Sequence, residues 1–92
     1  MSLLISDAVI WHESAGSVSL YHTEIGDFHT LNETASKIWM LVASEGEWKP
    51  ILSKLVDEFA GNNTAVNIRI VTDAKAFLSS MIERGWIEER PA

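Results

Sequence analysis

The sequence predicts an α+β domain of winged helix-turn-helix outline: a three-stranded antiparallel sheet followed by three helices. Three observations predict it. Residues 8 to 31 alternate apolar and polar side chains between turn clusters rich in Gly and Ser. From Asn32 onward, apolar residues recur at i, i+3, i+4 and i+7 instead. No repeat, linker or low-complexity stretch interrupts the 92 residues, so residues 1–92 are expected to form one domain.

The first predicted strand is "AVIWHE", closed by the turn cluster "SAGS". "SVSLYHTEI" follows, with Val18, Leu20 and His22 on one face and Tyr21, Thr23 and Ile25 on the other. Gly26 and then Asp27 match a two-residue type II′ hairpin turn. "FHTL" returns antiparallel, Phe28 and Thr30 sharing one face, His29 and Leu31 the other. Both faces carry apolar side chains, so alternation leaves open which face is buried.

Asn32 is a helix N-cap by type, and Glu33 suits the positive end of a helix. Ala35, Ile38, Trp39 and Val42 make the first helical stripe, and Gly46 ends it. The second helix begins near Trp48, with Pro50 in its first turn. Ile51, Leu52, Leu55, Val56 and Phe59 form its stripe, Gly61 its C′ residue, and "NNT" the following loop. "AVNIRIV" reads two ways: Val66, Ile68 and Ile70 alternate like a strand, yet a helix follows from about Thr72. That third helix carries Ala74, Phe77, Leu78, Met81 and Ile82 and stops at Gly85, and "WIEE" is a further short extended piece.

Composition excludes several functions. The formal charge is −6, and the seven basic residues, Lys37, Lys49, Lys54, Arg69, Lys75, Arg84 and Arg90, are scattered. Nucleic-acid affinity comes mostly from neutralising phosphates with clustered cations, so nucleic acid is not an expected partner. No cysteine is present, which removes disulfides and thiolate metal sites and fits the cytoplasm, the expected compartment. No apolar run approaches the roughly 18 residues that span a bilayer, so no membrane association is expected. The N-terminus lacks a basic stretch followed by a long apolar one, so no signal peptide is expected.

Catalytic chemistry is not legible. His12, His22 and His29 all fall in strand-like segments, not at helical i, i+4 spacing. His22 and His29 can meet across the hairpin and hold a metal with Glu24, but a packed strand histidine is the simpler account. His12 and Ser14 in "HES" flank a residue and form no nucleophile–base pair of recognisable pattern, and no phosphate-cradling glycine loop occurs. The pairs Asp57–Glu58 and Glu88–Glu89 read as solvated charge. No catalytic residue, metal or cofactor is therefore expected. The third-helix stripe is first of all core, but it is wider than one packed seam requires, and part of it can line a groove.

The whole pattern resembles the PqqD-like family, the recognition elements that bind leader peptides of ribosomally made, post-translationally modified peptides. "AVIWHESAGSVSLYHTEIGDFHTLNETASKIWMLV" resembles the family's strand, hairpin and "LN-x-T-A-x-x-I-W" opening of the first helix. "ILSKLVDEF" resembles the second helix and "DAKAFLSSMIERGWIEE" the third, so the resemblance covers roughly residues 8 to 89. It implies a non-catalytic module in which the leader adds as a strand to the third strand, beside the third helix. On this chain the edge is Asp27, Phe28, His29, Thr30 and Leu31. The facing helix residues are Lys75, Leu78, Ser79 and Ile82, or Ala74, Phe77 and Met81 if the helix is rotated. Family members often carry aromatic or basic residues where this chain has Asp27, His29 and Thr30. The chain length suggests a stand-alone protein of the lasso-peptide type, which hands a precursor to a separate leader peptidase and cyclase. The alternatives are a chaperone that presents a precursor to a radical-SAM enzyme in PQQ biosynthesis, and a winged-helix DNA-binding regulator.

Overall fold

Eight elements run along the chain in the computed structural model, which describes residues 2–59 and 63–91. They are β1 (Ser2–Ile5), β2 (Val9–Ser14), β3 (Ser17–His22), β4 (Asp27–Thr30), α1 (Glu33–Glu45), α2 (Trp48–Phe59), α3 (Thr64–Glu83) and β5 (Ile87–Arg90). The predicted three strands and three helices are present as β2–β3–β4 and α1–α2–α3. The sheet is an antiparallel meander packed on the helices.

The first hairpin turns through Ala15 and Gly16, both with positive φ (52° and 80°). That is the backbone of a type I′ turn, whose twist matches paired strands. The second turn differs from the expected type II′ hairpin. β3 ends at His22 and β4 starts at Asp27, so the loop is Thr23–Gly26. Thr23 N–H still donates to Ala8 C=O (2.8 Å) and Gly26 N–H to His22 C=O (2.8 Å), which spends the residues a tighter turn would need.

Register decides which face is buried. Val18 and Leu20 are fully buried and His22 is 4% exposed, whereas Ile10, Tyr21 and Phe28 are exposed on the outer face. His29 pairs with Leu20, so it shares the inner face with Leu31. The inner face packs on Ile38 and Trp39 of α1 and Leu78 of α3, and Ile51 and Leu55 of α2 complete the core.

α1 is capped as its sequence predicts. Asn32 Oδ1 accepts from Ala35 N–H at 2.8 Å, and Gly46 ends the helix at φ 69°, its N–H donating to Val42 C=O. α2 begins at Trp48 with Pro50 in its first turn. The proposed C′ residue Gly61, and Asn62 of the "NNT" loop, lie outside the described residues.

Two expectations are corrected. α3 begins at Thr64 rather than near Thr72, so "AVNIRIV" is helical. Asn63 caps it, its Oδ1 accepting from Val66 N–H at 3.0 Å. The alternation there buries nothing continuous, since Val66 and Ile68 are both exposed. A helix satisfies its own backbone, whereas a strand at this place would need a neighbour to pair with. The second correction is β1, which pairs antiparallel with β5 from Ser2↔Arg90 to Ile5↔Ile87 and makes a second, two-stranded sheet. Leu3 N–H also donates to Gly46 C=O (2.7 Å), which fastens β1 to the end of α1. Among the described residues, no helix is long and apolar enough to cross a membrane.

Candidate functional site: an open strand edge beside the third helix

Among the described residues, the strand order β2-β3-β4 leaves one long side of β4 without a paired strand. Leu31 N–H donates to Val18 C=O at 2.8 Å, just beyond the end of the β3–β4 ladder. In an antiparallel pair the backbone groups of successive residues point alternately toward and away from the partner strand. With Leu31 pointing inward and the register Leu20↔His29, the backbones of Asp27 and His29 also face β3. Phe28 and Thr30 therefore present their N–H and C=O groups outward, four polar groups in a row. The strand carries neither Pro nor Lys, the residues that commonly blunt such an edge. The opposite sheet edge, β2, is less open: Val9 N–H is already bonded to Ser6 C=O at 3.0 Å.

The floor beneath this edge is built by the end of α3. Gly85 has φ 83°, Gly85 N–H donates to Ile82 C=O (3.2 Å), and Trp86 N–H donates to Met81 C=O (2.9 Å). These two bonds are a Schellman closure, which requires a left-handed residue and therefore favours Gly. The closure turns Trp86 inward, where it is fully buried. His22 stands edge-on to Trp86 with ring centroids 5.1 Å apart, and His29 does so at 5.2 Å.

His22 and His29 each have a specific ring partner. His22 Nε2 lies 3.1 Å from Gly85 C=O; a carbonyl only accepts, so this nitrogen carries the proton. His22 Nδ1 is buried and has no hydrogen-bond partner among the described residues. His29 Nε2 lies 3.0 Å from Arg84 Nη2; a guanidinium only donates, so here Nε2 accepts and the imidazole is neutral. The two rings address Gly85 and Arg84, and no group of three His, Cys, Asp or Glu suited to a metal occurs among the described residues.

α3 forms the second wall. Asp73 and Phe77 border a shallow groove with Asn32, Thr34, Ala35 and Ile38, where β4 runs into α1. Arg84 lies further along this side of α3, since steps of four and seven residues return to one helical face. Ala74, Leu78 and Met81 are buried in the core. Lys75 and Ser79 border a different groove, with Trp48, Lys49, Leu52 and Glu89, against α2 and β5. Ile82 packs half-buried against the core. The structure thus places Phe77 at a groove beside the start of α1, Ala74 and Met81 in the core, and Lys75 and Ser79 at a separate groove against α2 and β5.

Two residues of this site carried no signal strong enough to be chosen from the sequence. Trp86 follows a helix-ending glycine, a position where a hydrophobic contact back to the helix is frequent, and that pattern points to it. Arg84 reads as one of several scattered cations; only its 3.0 Å contact with His29 distinguishes it.

The family model described as coenzyme PQQ synthesis protein D (PqqD) matches residues 17–87. A solved structure of TbiB1 in complex with the TbiA(beta) leader peptide superposes with a TM-score of 0.81 at 22% identity, over 97% of this chain and 99% of that one. A lasso peptide synthetase B1 complexed with the leader peptide superposes with a TM-score of 0.78 at 16% identity, over 97% of this chain and 100% of that one. No curated protein matches. At these identities the superpositions show a shared fold.

Proposed function

Because the chain belongs to the PqqD family, whose model spans residues 17–87, we propose that it is a leader-peptide-binding protein of peptide-maturation pathways, specifically of the lasso type. The leader adds as an antiparallel strand to β4 and its side chains enter the cleft between β4 and α3. The observation that carries this reading is the outward-facing backbone of Phe28 and Thr30 on the open side of β4. It is supported by the superposition on two proteins that hold leader peptides.

Magnitudes divide the binding between backbone and groove. Four new strand hydrogen bonds contribute about 0.5–1.5 kcal/mol each. Ordering a disordered segment costs about 2–5 kcal/mol, and association costs more. Backbone pairing alone therefore roughly cancels the ordering. Net affinity must come from leader side chains in the cleft, at about 1.5–3 kcal/mol for each apolar one fully buried. Phe77 and the groove beside it are the surface available for this.

In this reading the protein has no turnover of its own. It acts in the cytoplasm, without cofactor, and presents the precursor to a separate leader peptidase and cyclase. The test is calorimetric titration with synthetic leader peptides of lasso-type precursors, followed by reconstitution with a leader peptidase of such a pathway. A 1:1 complex of nanomolar to micromolar affinity and faster leader removal are expected. No heat and no competition would overturn leader binding; product formed without any added enzyme would overturn the non-catalytic assignment.

A further inference from the structure

Arg84 is the cation of this chain whose partner makes least electrostatic sense for a purely structural role. Lys37, Lys54 and Arg90 each pair with a carboxylate, Glu58, Glu45 and Glu88 respectively. Acids outnumber bases thirteen to seven, so a carboxylate partner was easy to supply. Arg84 instead donates to the neutral imidazole of His29, and that ring is held edge-on by the buried Trp86. A neutral acceptor fixes the guanidinium without cancelling its charge. The guanidinium has five N–H donors, and the His29 contact uses one of them. Among the described residues no other acceptor is bonded to it. It bridges the end of α3 to His29, the β4 residue between Phe28 and Thr30, whose backbone groups face outward.

Resting on the strand-addition reading above, we infer that Arg84 is a specificity-determining residue that reads one carboxylate of the bound peptide, an Asp or Glu side chain on the cleft-facing side of the added strand. Planar, forked N–H donors match a carboxylate in two parallel bonds, and such charge-assisted bonds are about twice as strong as neutral ones. The site is also preorganised, because His29 and Trp86 already restrict the head group, so less entropy is lost on binding. The net charge of −6 opposes an acidic ligand at long range. That opposition is screened over about 8 Å at physiological salt, whereas a direct contact is not.

The test uses a display library of random peptides of about 15 residues, selected against the wild-type protein and against Arg84→Met. Binders are then measured by fluorescence polarisation, each beside its Asp→Asn or Glu→Gln version. Wild type is expected to enrich peptides with an acid at one fixed position, and Arg84→Met to lose that enrichment. The amide version should bind wild type about ten- to hundred-fold more weakly, and Arg84→Met less than two-fold more weakly. An equal penalty in both proteins, or no fixed acid among wild-type binders, overturns the inference while leaving strand addition intact. A library that yields no binder, or binders indifferent to Thr30→Pro, overturns strand addition itself and the inference with it. Circular dichroism of Arg84→Met separates loss of the charge from loss of the fold, and Arg84→Lys should recover part of the acid preference.

Discussion

Ser36 shows how much one hydroxyl does at the residue scale. Val18 N–H donates to Ser36 Oγ at 2.9 Å, and Ser36 Oγ donates to Leu31 C=O at 3.2 Å. The hydroxyl thus sits inside the last rung of the β3–β4 ladder, where only the Leu31 N–H to Val18 C=O bond is made directly. Leu31 C=O has a second donor in the Ser17 hydroxyl (3.2 Å), but among the described residues Val18 N–H has no second acceptor, and Val18 is fully buried. Ser36→Ala should therefore leave one buried donor unsatisfied, at a cost of about 1–3 kcal/mol. Urea denaturation checks this: the midpoint should fall with an unchanged slope. A loss below about 0.5 kcal/mol would mean that Val18 N–H re-pairs with Leu31 C=O directly. In the sequence, Ser36 lies between Ala35 and Ile38 of an apolar stripe, and nothing in its type reveals that it joins the sheet to the helix.

At the scale of elements, the register of β4 separates two kinds of proline substitution. Proline removes an N–H and fixes φ, so its effect depends on where that N–H points. His29 faces β3, and His29→Pro should break the β3–β4 hairpin and lose the fold signal in circular dichroism. Thr30 faces outward, and Thr30→Pro should keep the fold while weakening peptide binding by about ten-fold or more. Lys49→Ala, an exposed change on α2, should alter neither. Folded Thr30→Pro that binds at full strength would exclude strand addition and favour a helix seated in the groove. The sequence revealed the strand and its place in the order, because alternation and the Asn32 cap are local signals. It did not reveal the register, because that depends on a four-residue turn that Gly26 and Asp27 alone do not specify. It also left α3 undecided at Val66, Ile68 and Ile70. Three β-branched residues at every second position fit a strand, and only the Asn63 cap and the lack of a pairing partner make them a helix. β1 went unread because its three-residue apolar run gives no period, and its partner β5 lies at the far end of the chain.

The whole molecule combines a winged-helix outline with a surface unsuited to DNA. α3, the helix a DNA-binding relative would lay in the groove, carries Arg69 and Lys75 against Asp73 and Glu83. Its charge sums to zero on a chain of net charge −6, so phosphate attraction has no source there. What the molecule offers a partner is an unfinished sheet. A domain of this size buries only about 60–65% of its unfolded surface and is correspondingly marginal, so completing the sheet should show as global stability. A ligand that binds only the folded state stabilises by about 2.7 kcal/mol at a hundred times its dissociation constant. For a domain of 60–100 residues each kcal/mol moves the melting temperature by about 4–8 °C, so a cognate peptide should raise it by roughly 10–20 °C. The rise should grow with the logarithm of peptide concentration and should shrink in Thr30→Pro as its affinity falls. Differential scanning calorimetry measures both. A peptide that binds tightly by polarisation yet leaves the melting temperature unchanged would be binding the unfolded chain as well, and the β4 edge would then not be its site.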